Sequence, residues 1–429
     1  MEKLVLDVHE KPKKLQWLLL SFQHVFAMFG ATVLVPMLTG LDIGVALIAS
    51  GCGTLIYIAC TKGKVPVYLG SSFAYIAAIC AFGESIGTAF IGLIIVGLIY
   101  ISVALLIKFV GKDWLEKLFP PLIVGPMIMV IGLSLAGTAV SSAGFDGSGT
   151  WQTMVVAVIT FFTVVIVSLK GKGMMKLVPF LIGIATGYVS AVILHFTTGQ
   201  NLMDFSAITN ANFFELPKFT FIGTYSITGS GMVSALLLFG PLAFVTICEH
   251  IGDHKVLSEV TGKDFINEPG LDKTLMGDGL ATLFSGVIGG PANTTYGENT
   301  GVVSMTKVAS VWVIGGAAII AILLGFLGYV QGFIQTIPSS IMGAISIILF
   351  GMIAANGLKV IGNSKVNLNS SRNIIVIASM LVVGLGGATI TLNAANGISV
   401  SGMAVAVIVG VVLNLILPKE KEVEIKIEE

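Results

Sequence analysis

Two stretches of this chain, Val308 to Leu358 and Asn373 to Pro418, contain no ionised side chain. Each is long enough to cross a bilayer twice at about 20 residues per crossing. A soluble domain has no surface on which to place such runs, so they constrain the fold before anything else does. The rest of the chain agrees, with 55% of residues hydrophobic and 11% charged, far from the balance of a water-soluble protein. The chain reads as an all-α polytopic membrane protein. Both uncharged stretches must turn inside themselves, and the polar, Gly-containing segments Gln331–Gln335 and Asn393–Gly397 are the candidate turns. Met1 to Lys14 carries four Lys and no small-residue cleavage site, so the apolar run behind it is read as a retained first span.

Apolar runs divided at charge, Gly and Pro give fourteen candidate spans. Residues 1–196 hold seven and 229–417 hold seven more, with a polar external loop over 197–228 and a cytoplasmic tail over 418–429. Span three covers 65–82, span eight 229–252, span nine 274–290, span ten 293–306 and span thirteen 373–391. With both termini in the cytoplasm, every one of the 23 Lys and Arg except Lys218 falls on the cytoplasmic side, as the positive-inside rule asks. Lys and Arg equal Asp and Glu at 23 each, so net charge points to no nucleic acid and no acidic partner. Cys52, Cys60, Cys80 and Cys248 lie in apolar runs without metal-ligand spacing and are read as reduced packing residues.

Seven spans per half is an odd number, so a repeated unit enters the membrane the opposite way up in its second copy. Pro120, Gly125 and Gly132 in span five are matched by Pro338, Gly343 and Gly351 in span twelve. The third span of each half is short and interrupted, by Pro66 through Gly70-Ser71-Ser72 in one and by Pro291 through Tyr296-Gly297-Glu298 in the other. Pro and Gly this close together stop a helix, and backbone outside a helix at membrane depth belongs where it lines protein or a watery cavity. The paired breaks therefore mark the binding site. Half-helices starting near Ser71 or Ser72 and near Asn299 offer unpaired N–H groups to carbonyl oxygens or anions. Gly183 and Gly187, by contrast, are read as helix contact and nothing more.

Glu298 in span ten and Glu249 in span eight supply the chemistry. A carboxylate at membrane depth is costly, faces a cavity or a partner, and marks a substrate or ion path. Both accept hydrogen bonds, and a lone carboxylate out of water also takes up a proton, which suits proton coupling. His250 lies beside Glu249, and His24, next to Gln23 in span one, is a candidate to hold Glu298 or Glu249. Asp278 is read as a charge at the N-terminus of the span-nine helix, and Asp253 and His254 as reaching the cytoplasmic interface. The chain has no ATPase-type phosphate loop, zincin motif or nucleophile elbow, which points to gradient-driven transport without a cofactor rather than to an enzyme.

Gln23-His24, together with Glu298-Asn299-Thr300-Gly301 running to Thr306-Lys307, resembles the signature of the nucleobase-ascorbate transporter family, the nucleobase-cation symporters. Asn293 through Asn299, Gly70-Ser71-Ser72-Phe73-Ala74 and Phe26 through Thr32 are similar to its uracil-carrying branch, and the likeness runs from Leu15 to Leu417. The resemblance implies fourteen segments in two inverted repeats, whose broken segments combine half-helices with short extended strands. It implies a core domain of spans one to four and eight to eleven that carries substrate, and a gate domain of spans five to seven and twelve to fourteen that makes a homodimer. It further implies proton symport of uracil across the cytoplasmic membrane. Glu249 and Glu298 then accept the ring N–H groups, backbone N–H at Phe73 and Gly297 donates to the two carbonyls, and Phe73, Tyr296 and Ala31 wall the ring. His24, His250 and Asn299 stand in support of proton coupling.

A purine (xanthine or urate) symporter of the same family is the alternative, disfavoured by Glu rather than Gln at the head of the signature. An anion carrier of related architecture is disfavoured by two buried carboxylates with no buried Arg. Two departures stand out: Asp253 where uracil-carrying members can have a second His, and Phe350 where they can have a Tyr.

Overall fold

A computed structural model of the chain describes residues 4–83, 85–364, 366–393, 398–400 and 402–418. Its first half contains helices α1 (Lys14–Thr39) and α2 (Ile43–Cys60), strand β1 (Leu69–Ser71), and helices α3 (Ile76–Cys80), α4 (Ile86–Val110), α5 (Pro121–Ser134), α6 (Trp151–Lys170) and α7 (Pro179–Thr198). Its second half contains α8 (Gly229–Thr261), α9 (Leu271–Ile288), strand β2 (Asn293–Thr295), α10 (Gly297–Thr306), α11 (Val311–Gly325), α12 (Ser339–Gly362) and α13 (Ser371–Leu385). Strands β3 (Ile390–Asn393) and β4 (Ile398–Val400) and helix α14 (Gly402–Ile416) complete it. Eight helices of the described residues are long and apolar enough to cross a membrane, and α11, α13 and α14 are shorter apolar helices.

Local chemistry sets the helix ends. Asp42 accepts the Val45 N–H at 2.9 Å as the N-cap of α2, and Gly40 takes the left-handed conformation that closes α1. The two breaks fold into one object. After Pro66 the chain becomes strand β1, and after Pro291 it becomes β2, and the two pair antiparallel with Gly70 opposite Thr294. Hydroxyls replace the helical partners that these backbones lack. Thr54 Oγ1 accepts the Leu69 N–H at 2.9 Å, Ser50 Oγ donates to the Leu69 carbonyl at 2.7 Å, and Thr282 Oγ1 donates to the Asn293 carbonyl at 3.1 Å. Non-helical backbone is thereby satisfied inside the protein, as lipid requires.

Helix packing follows the glycines. A methyl group on Gly97 of α4 would lie 2.7 Å from the Gly279 carbonyl of α9, and one on Gly279 would lie 3.0 Å from the Gly97 carbonyl. Gly44 of α2 and Gly325 of α11 face each other in the same reciprocal way at 2.6 and 2.8 Å, as do Gly125 of α5 and Gly357 of α12 at 2.9 and 2.5 Å. Bare backbones at these three crossings let helices approach more closely than any side chain permits. Most helix contacts fall into two sets, with α8 and α1 also touching the second. One joins α1, α2, α4, α8, α9 and α11 around the paired strands, and the other joins α5, α6, α7, α12, α13 and α14.

Several expectations need correction. Gln331–Gln335 is not a turn: it lies in a helix over Gly328–Gln335, where Gln331 Nε2 donates to the Gly325 carbonyl at 2.7 Å and so turns a polar side chain inward. Span eight does not stop at residue 252, because α8 runs unbroken from Gly229 to Thr261, 33 residues in all. Span thirteen ends as a helix at Leu385, and its remainder passes into the β3–β4 hairpin. Of the turn expected at Asn393–Gly397, residues 394–397 lie outside the described residues, as do 419–429 of the expected tail and Lys365.

Candidate substrate site

The crossing of β1 and β2 builds a platform. Tyr296, just before α10, swings its ring across Gly70, where an added methyl would sit 2.3 Å from the ring, so only Gly fits there. The Tyr296 hydroxyl donates to the Ser71 carbonyl at 3.0 Å and lies 3.2 Å from Thr32 Oγ1 of α1. Tyr296 is therefore a cross-brace, 3% exposed, locked behind the strands.

In front of this brace the structure opens. Gly297 and Glu298 form the first turn of α10, Gly297 is exposed, and a methyl group added to Gly297 or to Gly301 would meet nothing within 4 Å. The first N–H groups of α10 have no partner within their own helix, as at every helix start. Glu298 is half-buried at this mouth, as is Glu249 on α8, and α8 packs against α10, β2 and the turn at Phe73–Tyr75. Glu249 lies within electrostatic reach of Asp253, Asp278 and Glu298, and acidic groups gathered around it attract N–H donors and protons and repel anions. Phe73, half-buried, meets Phe350 of α12 edge to face with ring centres 6.4 Å apart. Ala31 is buried in α1 and belongs to the apolar cluster that also holds Tyr68, Ile76 and Tyr296.

The structure joins His24 and Asn299 to each other, not to the carboxylates. Asn299 Nδ2 donates to the His24 carbonyl and lies against His24 Nδ1, both at 3.1 Å. The expectation that His24 holds Glu298 or Glu249 is corrected accordingly. Asn299 is one residue beyond Glu298 in α10, about 100 degrees further round, so the helix aims Asn299 at α1 and leaves Glu298 to the mouth.

His250 is likewise committed elsewhere. Its Nδ1 lies 2.8 Å from Asp278 Oδ2, and both side chains are wholly buried. Asp278 is not a charge at a helix N-terminus: it is in the interior of α9, which starts three residues earlier than the predicted span, at Leu271. His254 is not interfacial either. It stacks on His250 with ring centres 4.1 Å apart, its Nδ1 donates to the His250 carbonyl at 2.7 Å, and its Nε2 meets the Tyr57 hydroxyl of α2 at 2.5 Å. Asp253, one residue earlier, is half-buried and accepts a hydrogen bond from Thr295 Oγ1 of β2. Sequence reasoning missed Tyr57, Thr295 and the partners of Asp278. The one signal for them in the sequence is a lone Asp in an apolar helix, Asp278 within Leu271–Ile288.

Fold and site together define a class: a multi-pass membrane protein whose two broken segments cross to make a carboxylate-lined mouth. The same fold occurs in the transmembrane domain of the cyanobacterial bicarbonate transporter BicA, with a TM-score of 0.63 at 14% identity over 94% of this chain and 98% of that one. It also occurs in SLC26A9, with a TM-score of 0.69 at 13% identity over 94% of this chain and 64% of that one. Residues 15–393 match the Xan_ur_permease permease family, and the chain belongs to that family of nucleobase-cation symporters. Relatives include the uracil permease of Bacillus caldolyticus, 46% identical over 97% of this chain and 96% of its own length. The uracil permease of Bacillus subtilis is 44% identical over 98% and 97%, and that of Escherichia coli K12 is 40% identical over 97% and 94%.

Proposed function

We propose that the chain imports uracil with protons across the cytoplasmic membrane. The observation that carries this reading is the placement of Glu249 and Glu298, from two separate elements of the second half, at the open N-terminus of α10. It is joined by near full-length similarity to proteins named uracil permease. Uracil presents two N–H donors and two carbonyl acceptors around one planar ring. Two carboxylates match the donors, and free backbone N–H at Gly297 and Phe73, each beginning a helical turn, matches the acceptors. Phe73 presses on one ring face, Tyr296 braces the platform and Ala31 keeps the wall small. The carboxylates take the coupled proton, and Asn299, held by His24, orients α10. His250 supports α8 through Asp278 rather than touching substrate.

The finer architecture belongs to the same proposal. Exchanging α1 with α8, α2 with α9, α4 with α11, α5 with α12, α6 with α13 and α7 with α14 turns the α4–α9 contact into α11–α2, α8–α4 into α1–α11, and α6–α7 into α13–α14. All of these contacts occur, as an inverted repeat of 1–196 and 229–417 requires. The two packing sets are then core and gate, both termini are cytoplasmic, and two copies pair through the gate.

The experiment is uptake by Glu298→Gln and Glu249→Gln. Loss of uracil binding in inserted, monodisperse Glu298→Gln supports the site, and wild-type uptake by that variant rejects it. Uptake of xanthine that uracil cannot displace would move the assignment to purines. The solved structures with this fold share too little sequence to carry an anion substrate over, and four neighbouring carboxylates oppose one.

A further inference from the structure

Helix α8 is bonded to both broken segments, once on each side of Glu249. On one side the Tyr75 hydroxyl, in the helical turn that follows β1, lies 2.7 Å from Thr246 Oγ1 of α8. Thr246 donates its own proton to the Leu242 and Ala243 carbonyls one turn back, at 3.2 and 3.1 Å, so Tyr75 is the donor. On the other side Thr295 Oγ1 of β2 donates to the Asp253 carboxylate. Among the described residues these are the two side-chain hydrogen bonds between α8 and the broken segments. Thr246 precedes Glu249 by three residues and Asp253 follows it by four, so all three share one face of the helix. The two bonds are two helical turns apart, about 10 Å along the axis, with Glu249 between them.

We propose that Tyr75 and Thr295 are positioning residues, whose hydroxyls clamp α8 between the two broken segments and so set where the Glu249 carboxylate stands relative to Phe73 and Glu298. The proposal rests on the assignment of Glu249 as a substrate ligand made above. Pro241, inside α8 and upstream of Glu249, removes a helix bond at a place where helices bend. At the mouth α8 lacks packing on one side, since Gly252 is exposed and a methyl group there would meet nothing within 4 Å. His250 and His254 bond α8 to Asp278 of α9 and Tyr57 of α2, each from a position about 100 degrees further round than Glu249 or Asp253. Those bonds hold the helix in its bundle, and the two hydroxyls add its register against the segments that carry Phe73 and Glu298. Each segment is bonded where it reaches the site: Tyr75 is two residues from Phe73, and Thr295 three from Glu298. Because the histidine bonds and the packing of α8 on α4 remain, loss of one hydroxyl shifts Glu249 without dismantling the helix.

The test removes one hydroxyl at a time from the full chain. Tyr75→Phe keeps the ring that stacks on Phe239 of α8 at 5.8 Å and leaves Tyr100 as a partner of Thr246. Thr295→Val keeps the side-chain shape without the donor, and Thr295→Ser restores the donor. Glu249→Gln is run beside them, and each protein is checked for insertion and monodispersity. Uptake of whichever nucleobase the wild type carries is read as KM against maximal rate per inserted molecule. The clamp predicts a KM raised about five-fold or more in Tyr75→Phe and in Thr295→Val, equivalent to roughly 1 kcal/mol of binding, with maximal rate retained. Thr295→Ser is expected to keep the wild-type KM. A wild-type KM in Tyr75→Phe or Thr295→Val, a loss confined to the amount of inserted protein, or Thr295→Ser as impaired as Thr295→Val would each overturn the clamp. Lost uptake in Glu249→Gln beside a wild-type KM in the hydroxyl variants rejects the clamp alone, whereas wild-type uptake by Glu249→Gln rejects the assignment of Glu249 and the clamp with it.

Discussion

Asp278 and His250 are the residues whose removal separates folding from substrate chemistry. Both are wholly buried and bonded to each other, so truncating one leaves a buried polar atom without its partner, at a cost of about 1–3 kcal/mol. Asp278→Ala and His250→Ala are each predicted to lower the melting temperature of purified protein, and the double variant to lose less than the sum, because the second change removes an atom already orphaned. Additive losses would show that the pair does not act as a unit. Asp7 tests a different point. The hydrogen bond from Lys263 holds its carboxyl below the ordinary value of 3.8, so the stabilisation it contributes is present above the unfolded value and is lost as pH falls through the lower folded one. That window lies below physiological pH. Asp7→Asn is therefore predicted to keep the wild-type pH profile of uptake between about pH 5 and 8, and a profile flattened by this variant would place the coupling proton at the Asp7–Lys263 pair instead of at the mouth.

At the scale of elements, the crossing of β1 and β2 depends on the bare backbone at Gly70. Gly70→Val is predicted to abolish uptake, since its side chain would occupy the Tyr296 ring, whereas Gly351→Ala in α12, with nothing within 4 Å, should leave uptake intact and stabilise that helix by up to about 1 kcal/mol. Uptake by both variants at wild-type rates would deny the crossing its role. The broken segments were legible in the sequence because Pro and Gly at 66–70 and 291–297 leave the backbone few choices. Glu249 and Glu298 stand out as candidates for the same kind of reason, since charge inside an apolar run needs a purpose. The partners were not. Nothing local tells that His24 faces Asn299 or that His254 meets Tyr57, because those contacts depend on which helices cross, at separations of 275 and 197 residues. The length of α8 was misread for a physical reason too: Asp253, Lys255 and Glu259 look like a membrane exit, yet a helix can leave the bilayer without ending.

For the whole molecule, the two packing sets and the exchange of contacts between halves support the proposal of a carrier in which one body moves past the other. The glycine crossings α4–α9 and α2–α11 lie within one packing set and α5–α12 within the other; on that proposal, close backbone contact stiffens each body and the boundary where Phe73 meets Phe350 is where they slide. Many apolar helices were legible from sequence, since runs such as Val308 to Leu358 without an ionised side chain leave no other reading. The fold's likeness to bicarbonate and SLC26-type proteins was not legible, because at 13–14% identity shared helix packing leaves little trace in the residues. The most direct test of the central claim is counterflow of radiolabelled uracil in proteoliposomes holding the wild type or Glu298→Gln, at two pH values. Accumulation by the wild type is expected to respond to pH, and Glu298→Gln is expected to accumulate none at either pH. Equal accumulation by the two proteins would contradict it.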